Sequence, residues 1–182
     1  MTALRVRRGV GGAMGKPDPE LAQLTALLEE SYEKKAWQGP NLRGSLRGIG
    51  AEQAAWRPAP GRHSIRELTV HSAYWKYTVR RMLTGEKRGT FAEKGSNWFA
   101  RSGGGIDERA WKADLALLDA EHRRLMDAVR GLSAAALAKK PRGSKSTTAR
   151  LLRGVASHDV YHTGQIQLLK RLWKETRGNR KP

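Results

Sequence analysis

Four segments of the chain carry apolar residues at alternating steps of three and four, which is the spacing of one face of an α-helix. No segment of comparable length alternates with a period of two, and Val and Ile are sparse. Each amphipathic helix must bury its apolar stripe against another element, so four of them favour packing into a bundle. The periodicity therefore predicts an all-α protein and, more specifically, a four-helix bundle.

Capping residues mark the ends of these helices. Asp18 can cap the first helix, and Ser64 with Glu67 has the spacing of a capping box, in which each side chain satisfies a backbone amide of the other residue. Gly85 and Gly131 are expected to end the second and third helices. The predicted helices span residues 18–39, 64–85, 107–131 and 147–173.

Long connections follow the first and second helices, whereas bundle loops usually have about two to eight residues. Residues 40–63 contain two short helical fragments, and residues 85–106 contain six glycines and an apolar run. We expect Trp98 to be buried there and, with Phe99, to fold over the end of the bundle and cover a pocket. A connection of this length can span the bundle, so the second and third helices can run parallel.

A faint internal repeat relates the two halves of the chain. Arg47, Gly48, Ile49 and Pro58 recur as Arg130, Gly131, Leu132 and Pro141, each 83 residues later. The repeat indicates two related helical hairpins. Four matching positions also lie within what chance produces, so both interpretations stay open.

The net charge is +18, from 35 Lys and Arg residues against 17 Asp and Glu. Half of the excess lies at the two ends, because residues 1–17 have four basic residues and no acid, and residues 170–182 have six basic residues and one acid. We predict a disordered basic extension over 1–17, a bundle domain over 18–173 and a basic tail over 174–182. Neither end interleaves aromatic residues with its charges, so solvated ends are favoured over nucleic-acid-binding arms.

Composition excludes several classes of protein. The chain has no Cys, so disulfides and thiolate metal sites are absent, and His and carboxylate groups remain as metal ligands. The longest uncharged stretch, Val160 to Leu169, is about half the length of a membrane-spanning helix. We expect one soluble, cytoplasmic domain without a membrane partner.

Three of the five histidines lie on predicted inward stripes. His158 and His162 are four residues apart on the fourth helix, which places their Cβ atoms about 5 to 6 Å apart on one face. His71 lies in the stripe of the second helix. Three buried imidazoles each need a hydrogen-bond partner, and one cation satisfies all three. From the pattern alone, a metal site and separately bonded core histidines are equally supported.

The other two histidines have different predicted roles. His122 lies on the stripe of the third helix and is a candidate fourth ligand or a group that contacts a ligand. A core histidine bonded to a carbonyl or a carboxylate is the favoured interpretation. His63 precedes the capping box and is placed in the loop.

The segments that contain these histidines resemble the DinB/YfiT-like superfamily of metalloenzymes over about residues 18–173. The resemblance is carried by the runs 63–68 and 73–75 and by the motif from His158 to Ile166. It implies a left-handed bundle in up-down-down-up order, which agrees with parallel second and third helices. It also implies one divalent ion per chain on His71, His158 and His162, with nickel or zinc ahead of iron or manganese. A homodimer is expected.

Three neutral imidazoles leave at least one coordination position open, which is the form of a catalytic site. An ion there keeps its charge and acidifies a bound water or thiol. Because the chain has no Cys, a thiol must arrive as a cosubstrate. The resemblance thus implies a hydrolase or a thiol transferase acting on a small molecule. The alternative is a non-catalytic basic binding protein, related to nucleic acid or to stress, with a structural metal.

Other residues near the triad are candidates for substrate contact. Gln165 and Tyr74 each lie about one turn beyond a ligand and can face the open position, although packing at the bundle end is equally supported for Gln165. Asp159 points about 100° away from His158, which favours a contact with a ligand residue or a surface ion pair over ligation. The basic loop 139–145 allows an anionic substrate, although a solvated loop is favoured.

Overall fold

The computed structural model describes residues 18–99 and 107–178. Over these two ranges the chain forms helices and no β-strand, which confirms the all-α prediction there. The helices are α1 (Pro19–Tyr32), α2 (Leu42–Ser45), α3 (Ala51–Ala55), α4 (Ile65–Thr84), α5 (Glu108–Arg130), α6 (Ala134–Leu137) and α7 (Thr148–Gly178). The extension predicted over 1–17, and residues 179–182 of the predicted tail, lie outside the described residues.

Capping groups start α1 and α4 and end α4 where the sequence predicts. The Asp18 carboxylate accepts a hydrogen bond from the amide of Leu21 at 3.0 Å. Ser64 and Glu67 form the reciprocal capping box at the start of α4. Gly85 ends α4 with a φ of 75°, a left-handed conformation that glycine adopts at little cost.

The first long helix is shorter than predicted. α1 ends at Tyr32, about two turns before Gly39. The side-chain amide of Asn41 donates to the carbonyl of Lys34 at 2.6 Å and holds the chain in a turn after the helix. A contact between residues seven apart, within a connection, has no periodic signature in the sequence.

The last long helix is longer than predicted. α7 continues to Gly178, five residues beyond the end predicted at Trp173, so the first residues of the basic tail are helical. The guanidinium of Arg177 pairs with Glu52 of α3 at 2.6 Å and lies 4.6 Å from the centre of the Trp173 ring. These two contacts stabilise the last helical turn of α7, which the sequence did not predict because residues 174–178 contain no apolar side chain at helical spacing.

α4 packs against α5 and α7, and α1 packs against α7 and α5. Two apolar clusters form at the two ends of these packed helices. The first includes Leu42, Ile49, Ile65, Trp111, Leu118 and Ile166. The second includes Leu24, Leu28, Val79, Leu125, Leu152 and Val155. Over the described ranges, no helix combines the length and apolar character needed to span a membrane.

The short helices of the first connection close one end of this core. α2 and α3 correspond to the two helical fragments predicted between residues 40 and 63. Their connecting segment is held by the indole of Trp111, which donates to the Ile49 carbonyl at 2.7 Å. α6 is a third short helix, and the sequence patterns did not predict it.

A polar layer separates the two apolar clusters. On α4, Lys76 precedes Val79 of the second cluster, and on α7, Asp159 lies between Ala156 and Ile166 of opposite clusters. Lys76 and Asp159 form an ion pair, and neither side chain has any exposed surface. Burial raises the pKa of the Asp159 carboxyl, while the Lys76 ammonium opposes that shift.

Aromatic and imidazole rings complete the polar layer. The Lys76 ammonium lies 4.7 Å from the centre of the Tyr32 ring, and the Tyr32 hydroxyl donates to Asp119. The ring of His122 stacks on Tyr32 with centroids 3.8 Å apart. The α1, α4, α5 and α7 helices therefore each contribute a polar side chain to the middle of the core.

We predict that Lys76→Met lowers the free energy of unfolding by about 3–5 kcal/mol, because it leaves a buried carboxylate without its counter-ion. Adding Asp159→Leu to that variant should recover most of the loss, since an apolar pair needs no compensation. Urea denaturation of the single and double variants measures both effects.

The matched control for this prediction is Arg130→Met, which removes the exposed ion pair between Arg130 and Asp127. Its cost should stay below about 1 kcal/mol. A Lys76→Met variant that is no less stable than this control would show that the buried pair contributes little.

Candidate metal centre

The three histidines predicted as ligands meet at the contact between α4 and α7. The Nε2 atom of His158 lies 3.0 Å from the Nε2 of His71 and 3.0 Å from the Nε2 of His162. One ligand atom from each residue lies within 4.8 Å of the others. Over the two described ranges, no other group of three His, Cys, Asp or Glu residues meets this distance.

Hydrogen bonds on the outer ring nitrogens set the tautomers of two of these histidines. His71 Nδ1 donates to the carbonyl of Asn97 at 2.8 Å, and His162 Nδ1 donates to Oε1 of Gln165 at 2.6 Å. Each ring therefore carries its proton on Nδ1 and presents a lone pair on Nε2. A proton on Nε2 of His158 can be donated to only one of the two lone pairs, that of His71 or that of His162.

Burial keeps the three rings neutral. It is the main cause that lowers the pKa of His158 to about 3 and that of His162 to about 4, and it also lowers the pKa of His71. The neighbouring histidines lower the pKa of His158 further. Neutral imidazoles with inward lone pairs are ready to bind a metal without first losing a proton.

The donor set fits a divalent transition metal. Three imidazole nitrogens suit zinc, nickel, copper or iron. A histidine that binds a metal commonly donates its other N–H to a carboxylate, a carbonyl oxygen or water. His71 and His162 both do so, to Asn97 and Gln165. A cation between the three Nε2 atoms would relieve the repulsion between lone pairs that face each other there. The three histidines therefore fit the divalent ion that the sequence implies.

Trp98 covers one side of the triad. Its ring stacks on His71 with centroids 3.8 Å apart, and His63 stacks on its other face at 3.6 Å. Trp98 is 36% exposed, so the expectation of a buried Trp98 is wrong. Its ring lies between two imidazoles, His63 and His71, and is not packed into the apolar core. Phe99 is buried and packs against Tyr74 and Phe91, and it lines neither of the cavities that contain a histidine of the triad.

The remaining candidates lie at different distances from the triad. Gln165 accepts a hydrogen bond from Nδ1 of His162 and so contacts the triad directly. The ring of Tyr74 packs with Trp75, Phe91 and Phe99 instead of facing the triad. The surface ion pair considered for Asp159 is wrong, because this carboxylate is fully buried against Lys76, where its burial would be too costly without a partner.

His122 does not join the triad. Its ring stacks on Tyr32, and within the described part of the chain neither ring nitrogen has a hydrogen-bond partner. The nearest carboxylate oxygen, on Glu33, lies 4.0 Å from Nε2. The structure thus supports neither a fourth ligand nor the bonded core histidine that the pattern favoured, because aromatic stacking holds this ring.

Three residues near the site were missed by sequence reasoning. Asn97 supplies the carbonyl that orients His71, His63 stacks on Trp98, and Lys76 pairs with Asp159. The Gly-Ser-Asn run was the available signal for Asn97, since this residue has a φ of 63° and Asn tolerates that conformation better than most. Backbone carbonyls and ring stacks leave no periodic trace in a sequence.

Two cavities reach the triad from different directions along α7. The larger, about 640 Å³, is lined by His162, Gln165 and Trp98 and continues past Leu168. The smaller, about 320 Å³, is lined by His158 together with Trp75, Arg150 and Gly154. The triad is therefore accessible to small molecules on both sides of its two α7 histidines.

Comparison with known protein families identifies a superfamily to which the chain is similar. The model of the DinB superfamily matches residues 36–166, which is more than half of the chain. No curated protein and no solved structure matches the chain. The matched range contains all three histidines, both orienting residues and the Trp98 cover.

We predict that the stacked His122 makes stability depend on pH. Burial lowers the pKa of His122 to about 2, whereas the unfolded chain binds this proton near pH 6.5. Stability contributed by the neutral ring is therefore present above pH 6.5 and is lost as the pH falls. Between pH 7 and pH 5 the wild type should lose about 2 kcal/mol more than His122→Phe, as measured by urea denaturation.

The control for this prediction is His63→Phe, which also replaces an imidazole stacked on an aromatic ring, but one whose side chain is 42% exposed. It should keep the pH dependence of the wild type. An unchanged pH dependence in His122→Phe would contradict the role assigned to the buried ring.

Proposed function

The chain belongs to the DinB superfamily, and on that premise we propose that it is a metal-dependent enzyme that holds one divalent ion on His71, His158 and His162. The observation that carries the proposal is the convergence of three neutral Nε2 atoms, two of which present lone pairs. Nickel or zinc is the proposed ion, ahead of iron or manganese. The ion would supply Lewis-acid chemistry to a water molecule or to a thiol cosubstrate.

The residues around the triad position its rings. Asn97 and Gln165 accept the outer N–H groups of His71 and His162 and so fix the direction of the inward lone pairs. Trp98 lies flat against His71, with an interplanar angle of 6°, and keeps water from that face of the ring. A substrate can approach only from the sides left open by this cover.

A catalytic role is better supported than a structural one. Structural zinc sites are normally closed by four protein ligands, whereas this triad has three and adjoins two cavities. The competing hypothesis, a basic binding protein with a structural metal, draws its support from the net charge of +18. That charge bears on partners but gives no reason for the triad to remain open.

The second cavity supports a reaction with two substrates. It reaches His158 while the larger cavity reaches His162, so two molecules can approach the triad separately. Arg150 and Ser146 line it, and the basic loop 139–145 immediately precedes Ser146. Because the chain has no Cys, a thiol would have to enter as a cosubstrate. The Arg150 side chain on the cavity wall suits an anionic thiol, which favours transfer over hydrolysis.

We also propose the up-down-down-up order and left-handed twist of a four-helix bundle. Two ion pairs between α4 and α5 support parallel directions for these helices. Arg66 pairs with Asp114, and Arg80, further along α4, pairs at 3.4 Å with Glu121, further along α5. The long connection between the two helices is compatible with this direction.

We predict that the purified protein contains about one equivalent of a divalent transition metal and that His158→Ala loses it, since two imidazoles seldom hold an ion in competition with solvent. Elemental analysis measures the content. The metal-loaded protein should also catalyse transfer from a thiol to an electrophile, or hydrolysis, in a panel of low-molecular-weight thiols and activated esters. Chelator should abolish that activity.

The control for the metal prediction is His63→Ala, because His63 contacts Trp98 but contributes no atom to the triad. It should keep the full metal content. Stoichiometric metal in His158→Ala, or metal-free wild-type protein after purification with nickel and zinc supplied, would refute the ligand assignment. Activity that persists in chelator would refute the metal-dependent mechanism.

We predict that Gln165→Ala weakens metal binding by about 10- to 100-fold, because His162 loses the acceptor that fixes its tautomer. Competition with a chromophoric chelator measures the affinity. Gln167→Ala is the matched control, since Gln167 lies two residues further along α7 and lines neither cavity that reaches the triad. Equal affinities of the two variants would contradict the positioning role of Gln165.

A further inference from the structure

The larger cavity extends well beyond the triad and becomes apolar. From Gln165 it follows α7 past Leu168 and Leu169 to Leu172, a distance of about 10 Å along the helix axis. Leu68 of α4 and the loop residue Pro58 line the same cavity. One end of the cavity thus presents polar imidazole and amide groups, and the wall along the last part of α7 presents leucine side chains.

The aliphatic wall is partly uncovered. Leu168 is 57% exposed, although its neighbour Leu169 is 7% exposed and belongs to the core. An apolar side chain on the wall of a cavity gains about 25 cal/mol for each Å² that a ligand removes from water. The wall therefore favours a ligand with an aliphatic part over a fully polar one.

The charge of the cavity restricts the ligand further. Arg62 is the one formally charged residue among those that line it, and no carboxylate lines it. In the parts of the chain that the structure describes, the Arg62 guanidinium has no ion pair, whereas that of nearby Arg57 pairs with Glu67 at 2.6 Å. An unpaired guanidinium at a cavity wall without acids favours a ligand with a negative charge.

We propose that the substrate taken by this cavity is an amphipathic anion with an unbranched aliphatic chain of about eight carbons, a length matched to the 10 Å wall. The inference rests on the proposed function, because it assigns the reacting end of the molecule to the triad. The chain lies along Leu168 and Leu172, and the negative charge lies at Arg62. The smaller cavity, at about 320 Å³, is left for the second reactant.

The test uses straight-chain carboxylates from butanoate to decanoate as probes, with the full-length protein both loaded with metal and stripped by chelator. Calorimetry should show the affinity rising about fourfold with each added methylene up to about eight carbons and then levelling off. A chain-length-independent affinity in both forms would overturn the inference.

Two variants locate the probe. Leu168→Glu should weaken octanoate binding by at least about tenfold, because it puts a carboxylate into the aliphatic wall. Leu27→Glu is the matched control, since Leu27 is 40% exposed on α1 and does not line the cavity. An equal loss in both variants would place the binding elsewhere and overturn the inference.

The head group is tested with a neutral analogue. Arg62→Gln should weaken octanoate binding and leave 1-octanol binding unchanged, since only the carboxylate needs the guanidinium. Equal effects on both probes would overturn the assignment of the charge to Arg62.

The proposed function and this inference can fail separately. A protein that binds stoichiometric metal and shows no chain-length dependence keeps the metal centre and loses the substrate class. A protein that never binds metal but shows the full octanoate response in the stripped form keeps the selectivity of the cavity and loses the proposed catalysis.

Discussion

The buried ion pair between Lys76 and Asp159 sets how α4 lies against α7, and the candidate metal centre depends on that register. Neither side chain has exposed surface, so a shift of one helix along the other would leave two charges buried without compensation. Asp159 directly follows His158 and precedes His162 by three residues, while His71 lies five residues before Lys76. Holding the pair together therefore also holds the three imidazoles within reach of one another.

The ion pair has the same separation along the chain as the matching positions that suggest an internal repeat. Lys76 and Asp159 are 83 residues apart, which is the offset of the repeated segments. By the same offset, α3 begins at Ala51 and α6 at Ala134, so a short helix occurs at the same place in both halves. Identical halves would carry the same charge at equivalent positions. Opposite charges at 76 and 159 make one half complementary to the other and specify their pairing.

Local signals predicted much of the fold and of the site, and contacts between distant residues were out of reach. The capping box at Ser64 and the spacing of His158 and His162 operate within a few residues, so the sequence alone places α4 and two of the three clustered histidines correctly. The stack of Trp98 between His63 and His71 joins two loops to a helix, and its geometry follows only once α4 is placed against the rest. The predicted end of α7 was wrong for the same reason, since Arg177 pairs with Glu52, a residue of α3 that is distant in the sequence.

The proposed divalent cation would bind a chain with a net charge of +18, so the triad can hold it only where nearby positive charge is compensated, as it is in the buried ion pair. His158 and His162 are neutral because burial lowers their pKa values well below 7. Lys76 is the cation whose field reaches His158, and it also lowers the pKa of that ring. Its charge is compensated by Asp159, with which it is paired inside the core. Removing that carboxylate would leave an unpaired ammonium beside the three histidines, so Asp159 favours a cation at the triad through its ion pair with Lys76.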